Sequence, residues 1–287
     1  CSELWPGNTT DVSTLVPVVD RLRSRFGIDE LCIVSDRGMV SARTLEELAE
    51  EGRTCHYILG ARMRAVKEIR ERVLEDPSSF REVQGPRKTS EDPAPLQVKD
   101  VRLGERRYIV CFNEERARKE AADREAILAA LEDQLRRGDK SLVGNKGYRK
   151  YLTTPGPRFD IDWGKAEADA RFDGLWVLRT DLEMDAGRVA LKYKELWQVE
   201  DLFRSVKSVL DTRPIYHQRD DTIRGHVFCS FLALILLKEL QSRMEERGFS
   251  YEWARLRQDL DALDEIRIEA VGREVLVRRG ARGVAGR

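Results

Sequence analysis

The sequence predicts an α/β fold, and three observations carry that prediction. Two short, continuous apolar runs, Leu31-Cys32-Ile33-Val34 and His56-Tyr57-Ile58-Leu59, read as strands buried in a parallel or mixed sheet. Segments with apolar residues at helical spacing alternate with these runs. A middle section, residues 60–180, breaks the alternation, and helical core patterning resumes after it. The reading is an α/β domain with a mixed, partly β insertion and a helical C-terminal region. The expected boundaries are 1–59 for the N-terminal part of the core, 60–183 for the insertion, 184–247 for the C-terminal helices of the core, and 248–287 for a tail.

Thr14 to Phe26 carries Leu15, Val18, Val19, Leu22 and Phe26 on one helical face. The first strand ends at Ser35-Asp36-Arg37-Gly38, a turn. Ser41 to Glu51 has Leu45 and Leu48 at helical spacing and leads to the second strand. Arg62 to Glu75 is a charged helical stretch, followed by a loop-rich zone with Pro77, Gly85, Pro86, Pro93 and Pro95. Leu96 to Asn113 contains two runs around Leu103-Gly104-Glu105 and reads as a β-hairpin. Glu114 to Arg137 is a charged helix with Ile127, Leu128, Leu131 and Leu135 as its apolar stripe. Gly174 to Thr180 is another buried strand. Two long helices follow within 185–247, with Asp185 as N-cap of the first. The second, from about Asp221 to Arg247, holds the run Val227 to Leu237 and reads as buried, since about 11 residues are too few to span a bilayer.

Composition narrows the function classes. The 287 residues are 36% charged, yet 51 basic and 51 acidic side chains cancel, so local basic patches are allowed but a uniformly basic coat is excluded. The five cysteines are scattered without a CxxC pair, which argues against a disulfide framework or structural zinc and for a reducing cytoplasm. Cys32 and Cys229 read as packing residues. There is no membrane span and no visible signal peptide at Cys1-Ser2-Glu3-Leu4-Trp5. GxGxxG, GxxxxGK[ST] and GxSxG are absent, which disfavours dinucleotide, P-loop and α/β-hydrolase chemistry. His56, His217 and His226 lack metal-ligand spacing, and His56 reads as a core residue.

Two carboxylates stand out. Asp36 lies where an apolar strand ends, the place where α/β sheets gather ligands, and a carboxylate there suits Mg²⁺. Glu200 lies on a helix from Tyr193 to Leu210. At about 100° per residue, Tyr193, Trp197, Arg204 and Lys207 fall on its side of that helix, while Leu202, Val206 and Val209 fall opposite. A carboxylate among cations and aromatics fits a phosphate-backbone site with a metal ion, although Glu200–Arg204 also fits an ordinary surface pair. Lys146, Arg149 and Lys150, interleaved with Tyr148 and Tyr151, form a segment with the character of a nucleic-acid contact loop.

These residues resemble a known family. Tyr193, Glu200 and Lys207, within YKELWQVEDLFRSVKS, are similar to the Tyr-x2-Arg-x3-Glu-x6-Lys signature of insertion-sequence transposases with an Asp-Asp-Glu active site, the insertion-sequence-four superfamily. Ser35-Asp36-Arg37-Gly38-Met39 resembles that family's second-Asp motif, and Pro6-Gly7-Asn8-Thr9-Thr10-Asp11 the segment before it. FDGLWVLRT and NKGYRKYL add to a likeness that spans roughly residues 1–247. The resemblance implies a ribonuclease-H-like core with a largely β insertion, and cut-and-paste DNA transposition with two Mg²⁺ ions. It implies Asp36 and Glu200 as metal ligands sharing magnesium, and Tyr193 and Lys207 as backbone contacts. It further implies DNA, as transposon ends and target, as the partner, with a homodimer allowed in the synaptic complex.

Two departures from the family pattern matter. Leu196 stands where the signature has Arg, so that phosphate contact is lost or supplied by a residue such as Arg204. The first Asp is expected on a strand well before Asp36, but Asp11 and Asp20 lie outside strand patterns. The sequence is therefore expected to begin inside the fold and, as it stands, to be catalytically silent. The alternatives are a non-catalytic DNA-binding remnant and a nuclease of the same fold.

Overall fold

The computed structural model describes residues 3–28, 30–37, 40, 44, 46–47, 54–84, 95–137, 148–153, 159–249, 253–263, 265–270 and 273–278. The chain divides into two units, Trp5–Leu196 and Trp197–Arg287 together with Cys1–Leu4.

The first unit opens with helix α1 (Asp11–Phe26), which stops at Gly27, a residue whose φ of 62° supplies the left-handed C-cap. Strands β1 (Glu30–Ser35), β2 (Thr54–Gly60), β3 (Arg81–Gln84), β4 (Leu96–Leu103) and β5 (Arg106–Phe112) follow. Helix α2 (Glu114–Arg137), strands β6 (Leu152–Thr153) and β7 (Asp160–Ile161), and helix α3 (Trp163–Ala170) come next. Strand β8 (Leu175–Thr180) and helix α4 (Ala186–Lys194) complete the unit. Six strands form one mixed sheet in the order β1-β2-β8-β5-β4-β3. Among the described strands of this sheet only β1 and β2 are parallel, in register from Glu30↔Thr54 to Ser35↔Leu59, and the other neighbours are antiparallel. Strands drawn from 60–183 therefore continue the sheet that β1 and β2 begin.

The expected hairpin forms with Leu103 opposite Arg106, and Gly104 takes a φ of 60°, which suits the first residue of a two-residue loop. Alternation along the strands feeds two cores. Ile58, Leu96, Val98, Ile109, Cys111 and Leu178 pack against Ala186, Val189 and Ala190 of α4. Val101, Tyr108, Val110 and Val177 face the other side with Met63, Ile69, Val73 and Phe172. A third cluster joins the α2 stripe, centred on Leu131, to Tyr151, Ile161 and Ala166. Each fully buried aliphatic side chain contributes about 1.5–3 kcal/mol of transfer free energy.

The helix expected over Arg62–Glu75 is instead a turn leading to a π-helix, Ile69–Val73, in which the Leu74 N–H bonds to the Ile69 carbonyl. The buried Lys99 stabilises the end of this segment by donating to the carbonyls of Leu74 (3.2 Å) and Asp76 (2.7 Å). Most of the helix expected over Ser41–Glu51 lies outside the described residues, as do Lys146 and residues 279–287.

The second unit contains most of helix α5 (Leu196–Arg204), a π-helical segment (Ser205–Val209), α6 (Asp220–Glu246), α7 (Trp253–Asp261) and an antiparallel hairpin of β9 (Glu265–Ala270) and β10 (Arg273–Arg278). Three expectations need correction. The apolar run on α6 is not buried: Leu237 is, but Phe228, Leu232, Ile235 and Leu236 are exposed, because the described elements of this unit cover only part of a helix that is apolar on several sides. Cys32 and Cys229 are exposed rather than packed. His56 is one-third exposed and bonded through Nδ1 to Asp181 (3.1 Å), since its place near the start of β2 puts it beside the β8–α4 loop instead of in the core.

Candidate active site

Asp36 follows β1 directly, at the carboxyl end of the parallel pair β1–β2. The carboxylate is exposed, and Oδ1 accepts two hydrogen bonds: one from its neighbour's amide, Arg37 N–H, at 2.7 Å, and one from the Tyr193 hydroxyl at 3.0 Å. Among the described residues no donor reaches Oδ2. Tyr193 is 157 positions away in sequence, near the C-terminal end of α4. Helix α4 forms because Asp185 caps it, accepting from Arg188 N–H, and because Ala186, Val189 and Ala190 give it a narrow apolar face against the sheet. The small Gly187 lets that face come close: a methyl group there would sit 3.0 Å from Val83. Burial raises the Tyr193 phenol well above its ordinary value, and the bond to the Asp36 carboxylate raises it further, so it remains a donor.

Sequence reasoning missed Gly60, the last residue of β2. A Cβ there would lie 2.6 Å from the Tyr193 hydroxyl oxygen, 3.0 Å from Arg37 N and 3.2 Å from Asp36 Oδ1. Only a residue without a side chain leaves room for the tyrosine to meet the aspartate. The available signal was a glycine ending the apolar strand next to the Asp-bearing one, at the ligand-gathering edge of the sheet.

The single helix expected from Tyr193 to Leu210 is interrupted. Helix α4 ends at Lys194, Glu195 caps it, α5 runs only to Arg204, and a π-helix covers Ser205–Val209. A uniform 100° rotation therefore does not run through the whole segment: the break at Glu195 interrupts it on the Tyr193 side, and on the Lys207 side the i→i+5 turn is wider than the α turn. Glu200, Arg204 and Lys207 are all exposed, and among the described residues no ion pair links Glu200 to Arg204. The expected apolar stripe of α5 is not buried either: Leu202 is 36% exposed. Trp197, 62% exposed, lines a cavity of about 570 Å³ within the second unit, together with Asp201, Lys238, Met244, Phe249 and Trp253. Lys238 pairs with Asp201 at 2.7 Å there.

Of the basic loop residues, the Arg149 side chain lies outside the described residues. Lys150 is not a free cation: its ammonium pairs with Asp169 and sits 4.9 Å over the Tyr151 ring. The same Asp169 accepts from the Tyr151 hydroxyl at 2.7 Å and pairs with Arg64 at 3.3 Å.

An exposed, hard carboxylate oxygen at Asp36, with its other oxygen already fixed by two donors, fits the ligand preference of Mg²⁺. Among the described residues no group of three or more His, Cys, Asp and Glu side chains converges as a metal site. No described helix is long and apolar enough to cross a membrane.

No curated protein and no solved structure matches the chain. The family model of the transposase DDE domain matches residues 3–236, most of the chain including the Asp36 turn, β2 with Gly60, and the helices carrying Tyr193 and Glu200. The protein accordingly belongs to the transposase DDE domain family, a family of DNA-mobilising proteins.

Proposed function

We propose that this chain belongs to a transposase that cleaves DNA and joins the released strand to a target in a metal-dependent reaction, and that the 287 residues by themselves are catalytically silent. The observation that carries the reading is the hydrogen bond from Tyr193 to Asp36: the tyrosine of one expected motif and the carboxylate of another meet at the end of β1. In this reading Asp36 and Glu200 hold Mg²⁺, which when bound supplies Lewis-acid stabilisation of the phosphate undergoing displacement. Tyr193 orients Asp36 through Oδ1, and Oδ2 would be the oxygen available to hold the ion. Arg204 and Lys207 hold the DNA backbone by charge, Lys146 and Arg149 extend the contact, and Trp197 stacks on an exposed base. Leu196 supplies no charge, so Arg204 takes over the phosphate contact that the signature assigns to Arg.

The fold reading that goes with this function is ribonuclease-H-like. Residues 1–59 and 184–247 supply the core, and 60–183 is an insertion whose strands extend the sheet. A homodimer bridging two transposon ends belongs to the same reading. The test is excision and joining by the intact gene product, assayed separately on DNA carrying the element's ends. Asp36→Asn and Glu200→Gln should each abolish both steps without lowering protein yield. Full excision by the Glu200→Gln protein would overturn the assignment. Cutting without joining would indicate a nuclease, and salt-sensitive DNA binding that ignores divalent metal would indicate a non-catalytic remnant.

A further inference from the structure

The five-residue loop from Asp181 to Asp185, between β8 and α4, is held at every position. Asp181 accepts from Tyr57 N–H (2.8 Å) and bonds to His56. Leu182 N–H donates to Thr180 Oγ1, which itself donates to the Tyr57 carbonyl (2.7 Å). Three arginines from three adjacent strands complete the grip. Arg102 pairs with Glu183, Arg81 pairs with Asp185, and Arg107 donates through Nη1 to the carbonyls of both Leu182 and Met184. Arg107 differs from the other two. Its side chain is 8% exposed against 55% and 59%, and its Nε and Nη2 are locked on Asp100, with Nη2–Oδ2 at 2.6 Å.

We infer that Arg107 is a positioning residue: by fixing the root of α4 it sets where Tyr193 meets Asp36. This rests on the reading of Asp36 and Tyr193 as part of the active site. The lever is short and stiff. From Asp185 to Tyr193 is about 12 Å along a helix rising 1.5 Å per residue, so a tilt of about 5° at the root moves the hydroxyl by about 1 Å. That displacement separates a hydrogen bond from no bond. The exposed Arg81 and Arg102 pairs are the kind that contribute little. Arg107 instead forms a planar fork on a carboxylate and closes two backbone carbonyls at once, which a lysine ammonium does not reproduce.

The experiment uses the 287-residue chain labelled with 3-fluorotyrosine and read by ¹⁹F NMR without DNA or metal. Tyr193→Phe assigns the Tyr193 signal, and Asp36→Asn gives its position when the charged acceptor is removed. Arg107→Met should move the Tyr193 signal most of the way to the Asp36→Asn position. Arg107→Lys should move it partly, and Arg81→Ala and Arg102→Ala should leave it in place. The Tyr151 signal, from a separate core, should not move in any of them and reports intact folding. If Arg107→Met does not fold, Arg107→Lys and Asp100→Asn carry the test. An unmoved Tyr193 signal in a folded Arg107 variant, or an equal shift with Arg102→Ala, overturns the inference. Since the readout involves no DNA chemistry, its failure is distinct from failure of the transposase reading, which excision by Asp36→Asn protein would expose.

Discussion

Replacing Gly60 by alanine puts a methyl carbon 2.6 Å from the Tyr193 hydroxyl oxygen, where ordinary van der Waals contact starts at 3.4 Å. The hydroxyl has to retreat by the difference, 0.8 Å, because the second neighbour, Arg37 N at 3.0 Å, is backbone and gives way less readily. A retreat of that size carries a 3.0 Å bond to or past its reach of about 3.5 Å. A hydrogen bond to a charged group is worth about 1.5–3 kcal/mol, and water can replace the donor at an exposed Asp36, so the expected loss is about 1–2 kcal/mol. For a unit of this size that is roughly 2–8 °C in the melting temperature. Urea denaturation of four proteins (wild type, Gly60→Ala, Tyr193→Phe and the double variant) separates this effect from a general cost of filling the site. With no hydroxyl to displace, alanine should cost about 1 kcal/mol less in the Tyr193→Phe background. The same alanine penalty in both backgrounds would refute the idea that Gly60 exists to admit the Tyr193–Asp36 bond.

Three further outcomes follow from neighbouring parts of the molecule. Burial alone would raise the Asp169 carboxyl, but hydrogen bonds from Lys150 and Tyr151 and the charge of Arg64 hold it below the usual carboxylate range. A depressed folded-state value stabilises above the unfolded pKa of about 3.9, and that stability is lost as pH falls through the folded value. Asp169→Asn should therefore cost about 1.5–3 kcal/mol at neutral pH, and the gap should close below about pH 4 in acid-unfolding curves. In DNA-binding titrations against salt, Lys207→Ala and Arg204→Ala should each lower the slope of log K by about 1, whereas Lys150→Ala, whose cation is paired with Asp169, should leave it nearly unchanged and reduce stability instead. Leu178→Ala, at a fully buried position beneath α4, should cost about 2–5 kcal/mol by chemical denaturation.

Much of the first unit was legible because its signals are local. The runs Leu31–Val34 and His56–Leu59, the Gly104 hairpin, the α2 stripe on Leu131 and the Asp185 cap each follow from periodicity or turn chemistry confined to a few residues, and each has its counterpart in the structure. The position of Asp36 directly after β1 was legible because the apolar run Leu31–Val34 ends just before it. The Gly60–Tyr193–Asp36 arrangement was not, because it depends on tertiary contacts among three separated segments. The π-helical turns at Ile69–Val73 and Ser205–Val209 were also hidden, since apolar spacing alone does not tell an i→i+5 turn from an i→i+4 turn. Together with the helix break at Glu195, that is why a uniform projection over Tyr193–Leu210 does not hold. The exposure of Phe228 and Leu236 shows the complementary limit: apolar content specifies what prefers burial, and not which element covers it.

The proposal that Asp36 and Glu200 are metal-holding carboxylates is tested most sharply by iron-directed backbone cleavage of the 287-residue chain. Fe²⁺ takes up Mg²⁺-type oxygen sites and, with ascorbate and peroxide, cuts the polypeptide close to where it is bound. Cuts are expected near both residue 36 and residue 200, suppressed together by excess Mg²⁺ and by either Asp36→Asn or Glu200→Gln. Cuts confined to one of the two segments, or insensitive to either substitution, would contradict it.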